Sequence, residues 1–119
     1  MDTFYGLEKR IEWIGNSKEQ LLEFPSEVIK NAGFELGKVQ NGDDPTDFKP
    51  ISDWGSGVIE IRLEEETNAY RVIYVAKFEE AVYVLHSFQK KSQQTSQPDV
   101  AIIKARYKGV VAERRKNGH

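Results

Sequence analysis

No cysteine occurs among the 119 residues. That absence removes disulfides, thiol nucleophiles and cysteine-based zinc sites together. Histidine is almost as scarce: His86 is the only one outside the tail, and the acids are scattered through turns, so no metal-ligand spacing forms. A single internal histidine also fails to support a Ser/His/Asp triad. Apolar runs fall well short of the roughly 20 residues that a bilayer-spanning helix needs. The opening MDTFYGLEKR carries acids and no apolar h-region, which argues against a secretory leader. Gly55 and Gly57 are too sparse for a phosphate-cradling loop, and no Walker or dinucleotide pattern appears. These exclusions make the cytoplasm the expected location and predict no metal, cofactor or membrane partner.

Hydrophobic residues make up 39% and charged residues 30%, the profile of an ordinary globular protein. A chain of this length suits one domain spanning residues 1–119 and buries a core without staples. Net charge is −2, but its distribution is lopsided. Residues 1–85 hold 9 Lys+Arg against 17 Asp+Glu, whereas residues 86–119 hold 8 against Asp99 and Glu113 alone. A basic tail on an acidic body points to a polyanion or an acidic protein partner. It is equally the charge that complements a C-terminal helix dipole.

Arg10–Gly15 alternates and stops at glycine, as a short strand does. Ser17-Lys18-Glu19-Gln20 fits a capping box opening a helix with Leu21, Leu22 and Phe24, ended by Pro25. Ser26 is positioned to cap a second helix, in which Val28, Ile29, Ala32, Leu36 and Val39 recur at helical spacing until Asn41-Gly42. Residues 43–57 read as a loop anchored by Phe48, Ile51 and Trp54. Three β-rich runs follow, over 58–63, 70–77 and 82–85, and then a polar loop at 89–97. Pro98 suits the first turn of a last helix with Val100, Ile103, Tyr107, Val110 and Val111 as its apolar stripe. Lys104, Lys108 and Arg115 line an exposed flank of that helix.

Register decides which side chains meet. Pairing Ile61 with Val72 puts Ile59, Ile61, Leu63, Tyr70, Val72 and Tyr74 on one face. Glu60, Arg62, Arg71, Ile73 and Val75 then share the other. Arg62 sits opposite Arg71, an unfavourable like-charge pair unless Glu60 or a bound phosphate lies between them. The hairpin of Tyr70–Lys91 also carries Arg71, Lys90 and Lys91 to one end of the sheet.

Val58-Ile59-Glu60-Ile61-Arg62, Tyr70-Arg71-Val72-Ile73-Tyr74 and Leu85-His86-Ser87-Phe88-Gln89-Lys90-Lys91 together resemble the RelE/ParE toxin superfamily, and most closely its HigB-like, phage-derived branch. The Phe24-Pro25-Ser26-Glu27-Val28 phrase and the Lys49-Pro50 pair fit the same branch, and the likeness covers roughly residues 10–110. The resemblance implies an α+β, RelE-like fold of order β-α-α-β-β-β-α. In it, an antiparallel sheet packs against an N-terminal helical hairpin and a C-terminal helix. It further implies the toxin of a type II toxin–antitoxin pair, a metal-independent endoribonuclease that cuts ribosome-bound mRNA. Its partners would be the ribosome, the mRNA and a helix-turn-helix antitoxin. Arg71 would grip the scissile phosphate, with Lys90 and Lys91 as the basic pair after the last strand and Arg62 as a further cation. The chain has Val58 and Glu60 where active relatives carry strand lysines, and residues 92–100 lack their catalytic tyrosine. Those departures keep open a catalytically inactive or gyrase-directed, protein-binding member of the same fold.

Cleavage by an internal 2′-hydroxyl needs a proton acceptor, a proton donor and cations at the developing phosphorane charge. Arg71, Lys90 and Lys91 are the candidate cations, Glu60 the candidate base and His86 a second acid/base candidate. Arg62, Phe88, Lys104 and Lys108 are candidates for RNA contact, Phe88 and Trp54 by stacking on a base. Each has a plainer reading: an Arg71–Glu60 ion pair, solvated lysines, a hydrogen-bonded structural histidine and aromatic core packing.

Overall fold

The computed structural model describes residues 8–119. Most of the opening segment read against a secretory leader therefore lies outside the described residues. Strand β1 (Arg10–Trp13) is followed by helices α1 (Ser17–Leu21) and α2 (Ser26–Gln40), then β2 (Phe48–Pro50) and a 3-10 turn at Ser52–Trp54. Strands β3 (Val58–Glu65), β4 (Asn68–Val75) and β5 (Ala81–Lys90) lead to helix α3 (Gln97–Lys116). They form one five-stranded sheet of order β1-β5-β4-β3-β2. The fold is α+β.

Two features depart from the all-antiparallel, four-strand expectation. β1 runs parallel to β5, joining Arg10 to Ala81 and Trp13 to Val84, and the ladder continues with Ile14 N–H donating to the Val84 carbonyl at 2.9 Å. Partners separated by about 70 residues leave no local trace of their relative direction. The second departure is β2, an edge strand inside the supposed loop, pairing Lys49 with Glu60 and Pro50 with Ile59. An edge is where a sheet tolerates proline, which has no N–H to donate.

The β3–β4 register is the expected one, with Ile61 opposite Val72 and Arg62 opposite Arg71. β3 runs two residues past the expected end, and β4 begins two residues early and stops at Val75, so the pair closes on a two-residue turn in which Glu66 takes φ +56°. Between β4 and β5 the ladder slips. Ile73 pairs with His86, but Tyr74 pairs with Val84, so Leu85 is an extra, bulged residue. Val82 and Val84 face α2, whereas Leu85 packs with α3 on the opposite face. The bulge therefore turns His86, Phe88 and Lys90 onto the α3 face, where strict alternation from Val84 would have put them under α2.

The α2 stripe is as spaced: Val28, Ala32, Leu36 and Val39 are buried against Ile61, Leu63, Val72 and Tyr74. Phe24 meets Tyr70 with ring centroids 4.9 Å apart. Across the sheet, Ile103 and Val110 of α3 pack on Val58, Ile73 and Leu85. Helix starts differ from the sequence reading. Ser17 lies within α1, wholly buried, and its hydroxyl donates to the Val84 carbonyl at 3.0 Å instead of capping. Asn16 holds the N-cap position without a side-chain cap bond, and Pro25 does so for α2 in place of Ser26. Among the described helices α1, α2 and α3, α3 alone is capped by a side chain, Ser96 Oγ accepting from Asp99 N–H.

Candidate nucleic-acid interface

On the α3 face, pairing aligns residues into rows. One reads Lys49, Glu60, Ile73, His86 from β2 to β5; the next reads Arg62, Arg71, Phe88. Glu60 is 2% exposed and lies between two guanidiniums. Arg62 Nε donates to one carboxylate oxygen at 3.2 Å, while Arg71 Nε stands 3.6 Å from the other. The like-charge pair opposite one another is thus reconciled by a shared carboxylate.

Two clefts flank these rows. The smaller, about 490 Å³, lies between the β2–3-10 segment and the loop before α3; Lys49, Trp54, Glu60, Arg62, Lys90 and Gln94 are among its walls. The larger, about 740 Å³, lies between the α1–α2 junction and the end of β5. It includes Phe24, Tyr70, Phe88, Lys90, Lys91 and Asp99. Lys90 borders both.

The structure does not bring every candidate to one place. Arg71 is 7% exposed and lines neither cleft; its Nη1 donates to the Tyr70 carbonyl at 3.0 Å. It is buried beside Glu60 on the neighbouring strand, not set against solvent. Lys91 is exposed and borders only the larger cleft. His86 is 5% exposed, and its Nε2 meets Asp99 Oδ1 at 2.7 Å. Burial pushes its pKa below the usual value, against the pull of Asp99. The ring is therefore assigned as neutral, donating Nε2–H to Asp99 and leaving buried Nδ1 without a partner. Phe88 stacks on His86 at 5.1 Å and belongs to the α3-side core, with an edge on the larger cleft. Lys104 and Lys108 are exposed on α3 outside both clefts. Among the described residues, no three His, Asp or Glu side chains converge as a metal site would require.

Two positions that shape the candidate site escaped the sequence reading. Lys49 joins the smaller cleft because β2 pairs with β3; Pro50 beside it, a residue at home on sheet edges, was the available signal. Arg106 holds the bulge. Its Nη1 donates to the Leu85 carbonyl at 2.8 Å and its Nη2 to Asn16 Oδ1 at 2.8 Å. No local pattern announces that contact, since the three partners come from β5, α3 and the turn after β1.

A mixed sheet with helices on both faces defines a small α+β protein, and Lys49, Arg62 and Lys90 line its smaller cleft together with Asp53 and Glu60. The sequence model of the phage-derived Gp49-like proteins matches residues 19–108, and the chain belongs to that family. The family is associated with the toxins of toxin–antitoxin systems. No curated protein matches the chain.

Proposed function

We propose that this chain is the toxin of a type II toxin–antitoxin pair, of the HigB-like branch, and cleaves ribosome-bound mRNA without a metal. The observation that carries the reading is the smaller cleft, where Arg62 and Lys90 share walls with Glu60. A phosphodiester seated there has cations for its charge and a carboxylate for the attacking hydroxyl. The 2′-oxygen forms a bond to phosphorus as its proton passes to Glu60. The P–O5′ bond breaks as Lys90 protonates the leaving oxygen, which yields a 2′,3′-cyclic phosphate and a 5′-hydroxyl. Arg71 is a positioning residue in this scheme, its Nε standing 3.6 Å from the second carboxylate oxygen of Glu60. A helix-turn-helix antitoxin covering the basic cleft would silence it in the cytoplasm.

Primer extension on a reporter transcript after induction tests this. Cuts should appear with the wild type, and Lys90→Ala should reduce them ~10²–10³-fold. An uncut transcript during growth arrest would sink the nuclease reading. The second reading, a gyrase-directed protein-binding member, draws on the engaged state of both candidate bases. Glu60 is already held by two arginines and His86 by Asp99. DNA-damage signalling without transcript cuts would select it.

A further inference from the structure

Charge continues past the cleft. Lys104, Lys108 and Arg115 are exposed on α3, four and seven residues apart, close to whole numbers of turns at 3.6 residues each, so they share a flank. That flank borders the side of the helix facing the 3-10 segment. Val100, one turn before Lys104, lines the smaller cleft. Tyr107, next to Lys108, donates its hydroxyl to the Ser56 carbonyl at 2.9 Å. Its ring lies so close over Gly55 that a Cβ there would come within 2.6 Å. Lys77 reaches the same segment from the other side, its ammonium donating to Ser56 Oγ at 3.0 Å. A basic seam thus runs from the cleft along α3, edged by Lys104, Lys108 and Arg115, while Lys77 lines a separate cleft with Asp43 and Asp44.

The helix leaves this charge uncompensated. Asp99 is turned to His86 and Ser96, and Glu113 lines a different cleft beside Arg10 and Arg106. Two acids stand at the cleft wall, Asp53 and the arginine-paired Glu60, and half-buried Trp54 stands there as well. Cations in sequence beside an aromatic face are the combination that tracks a single-stranded polynucleotide: phosphates along the charges, a base against the ring.

We infer that the Lys104–Lys108–Arg115 seam binds single-stranded RNA leading to or from the cleft, so that the protein holds several consecutive phosphates and not one nucleotide. This rests on the proposed reading of the cleft as an RNA site. The test is fluorescence anisotropy with the full chain and two labelled 2′-O-methyl oligouridylates, of three and twelve nucleotides, which cannot be cleaved through the 2′-oxygen. Lys104→Glu/Lys108→Glu should weaken the 12-mer at least tenfold and leave the 3-mer unchanged. Lys104→Gln/Lys108→Gln should lower the slope of log affinity against log salt by about 1.4, from ~0.7 per lost cation on a single strand. Equal loss for both lengths, an unchanged 12-mer, or no 12-mer binding by the wild type at low salt would overturn the seam. So would tighter binding of polyglutamate than of RNA, which would make the flank a surface for an acidic protein. Failure of the cleavage reading is distinct: transcripts stay uncut while the 12-mer still binds through α3.

Discussion

Gly15→Ala probes the clamp on the β5 bulge from a residue that touches neither cleft. Gly15 has φ +57°, a left-handed conformation that costs a residue with a Cβ roughly 1–2 kcal/mol. An alanine Cβ there would come 2.5 Å from Arg106 Cζ. Moving the far end of an arginine is cheap in itself. Here, however, the guanidinium donates to the Leu85 carbonyl and to Asn16 Oδ1, both at 2.8 Å, and displacement loses both bonds. A hydrogen bond from a charged donor contributes about 1.5–3 kcal/mol, less where water replaces the partner, as it can at exposed Asn16. The sum is a destabilisation of about 3–4 kcal/mol, most of it routed through Arg106. Urea unfolding followed by circular dichroism measures it. Gly33→Ala is the control, because that α2 glycine meets nothing within 4 Å and should gain about 0.5–1 kcal/mol in helix propensity. In the Gly15→Ala/Arg106→Ala double variant, the two losses should fall short of adding, since one clamp cannot be lost twice. A cost below 1 kcal/mol for Gly15→Ala, or strict additivity in the double variant, would refute the clamp.

Three further outcomes follow from the same structure. Glu66→Gly should stabilise by about 1 kcal/mol in the same assay, because Glu66 holds φ +56° in the β3–β4 turn without the freedom of glycine. Arg114, aided by Tyr83, holds Glu80 down to about 2 from its ordinary 4.5. A depressed carboxyl stabilises fully above the unfolded value, so the urea midpoint should fall as pH drops from 4.5 towards 2, and Arg114→Ala should flatten that fall. His86, buried and with a lowered pKa, should remain neutral by NMR at pH values where a solvated histidine already charges. Because the unfolded chain takes up that proton first, acidification below 6.5 costs stability; Asp99→Asn should depress the His86 titration further. A His86 resonance titrating at the unperturbed value would contradict the assigned burial.

Much of the frame was legible because its signal is local. Alternation in Val58–Leu63 and Tyr70–Val75 specified the pairing of Ile61 with Val72, since a one-residue slip would expose an entire apolar face. The α2 stripe followed from helical spacing, and the Arg62–Glu60–Arg71 cluster from that register. What neighbouring residues cannot encode is contact between distant segments. The parallel β1–β5 pair, the burial of Ser17 against Val84, and the β2 edge that delivers Lys49 all depend on where the remainder of the chain folds. Arg71 reads as an exposed phosphate clamp in sequence, yet the packing around it leaves 7% of it exposed. The Leu85 bulge is the sharpest case. One extra residue reverses which face His86, Phe88 and Lys90 present, and what holds it is a guanidinium 21 positions further along, on a helix that packs across the sheet. Residue types and periodicity therefore determined the elements and their apolar faces, whereas the assembled sheet alone decided which cations stand together over a cleft, because that is set by long-range hydrogen bonds and not by local pattern.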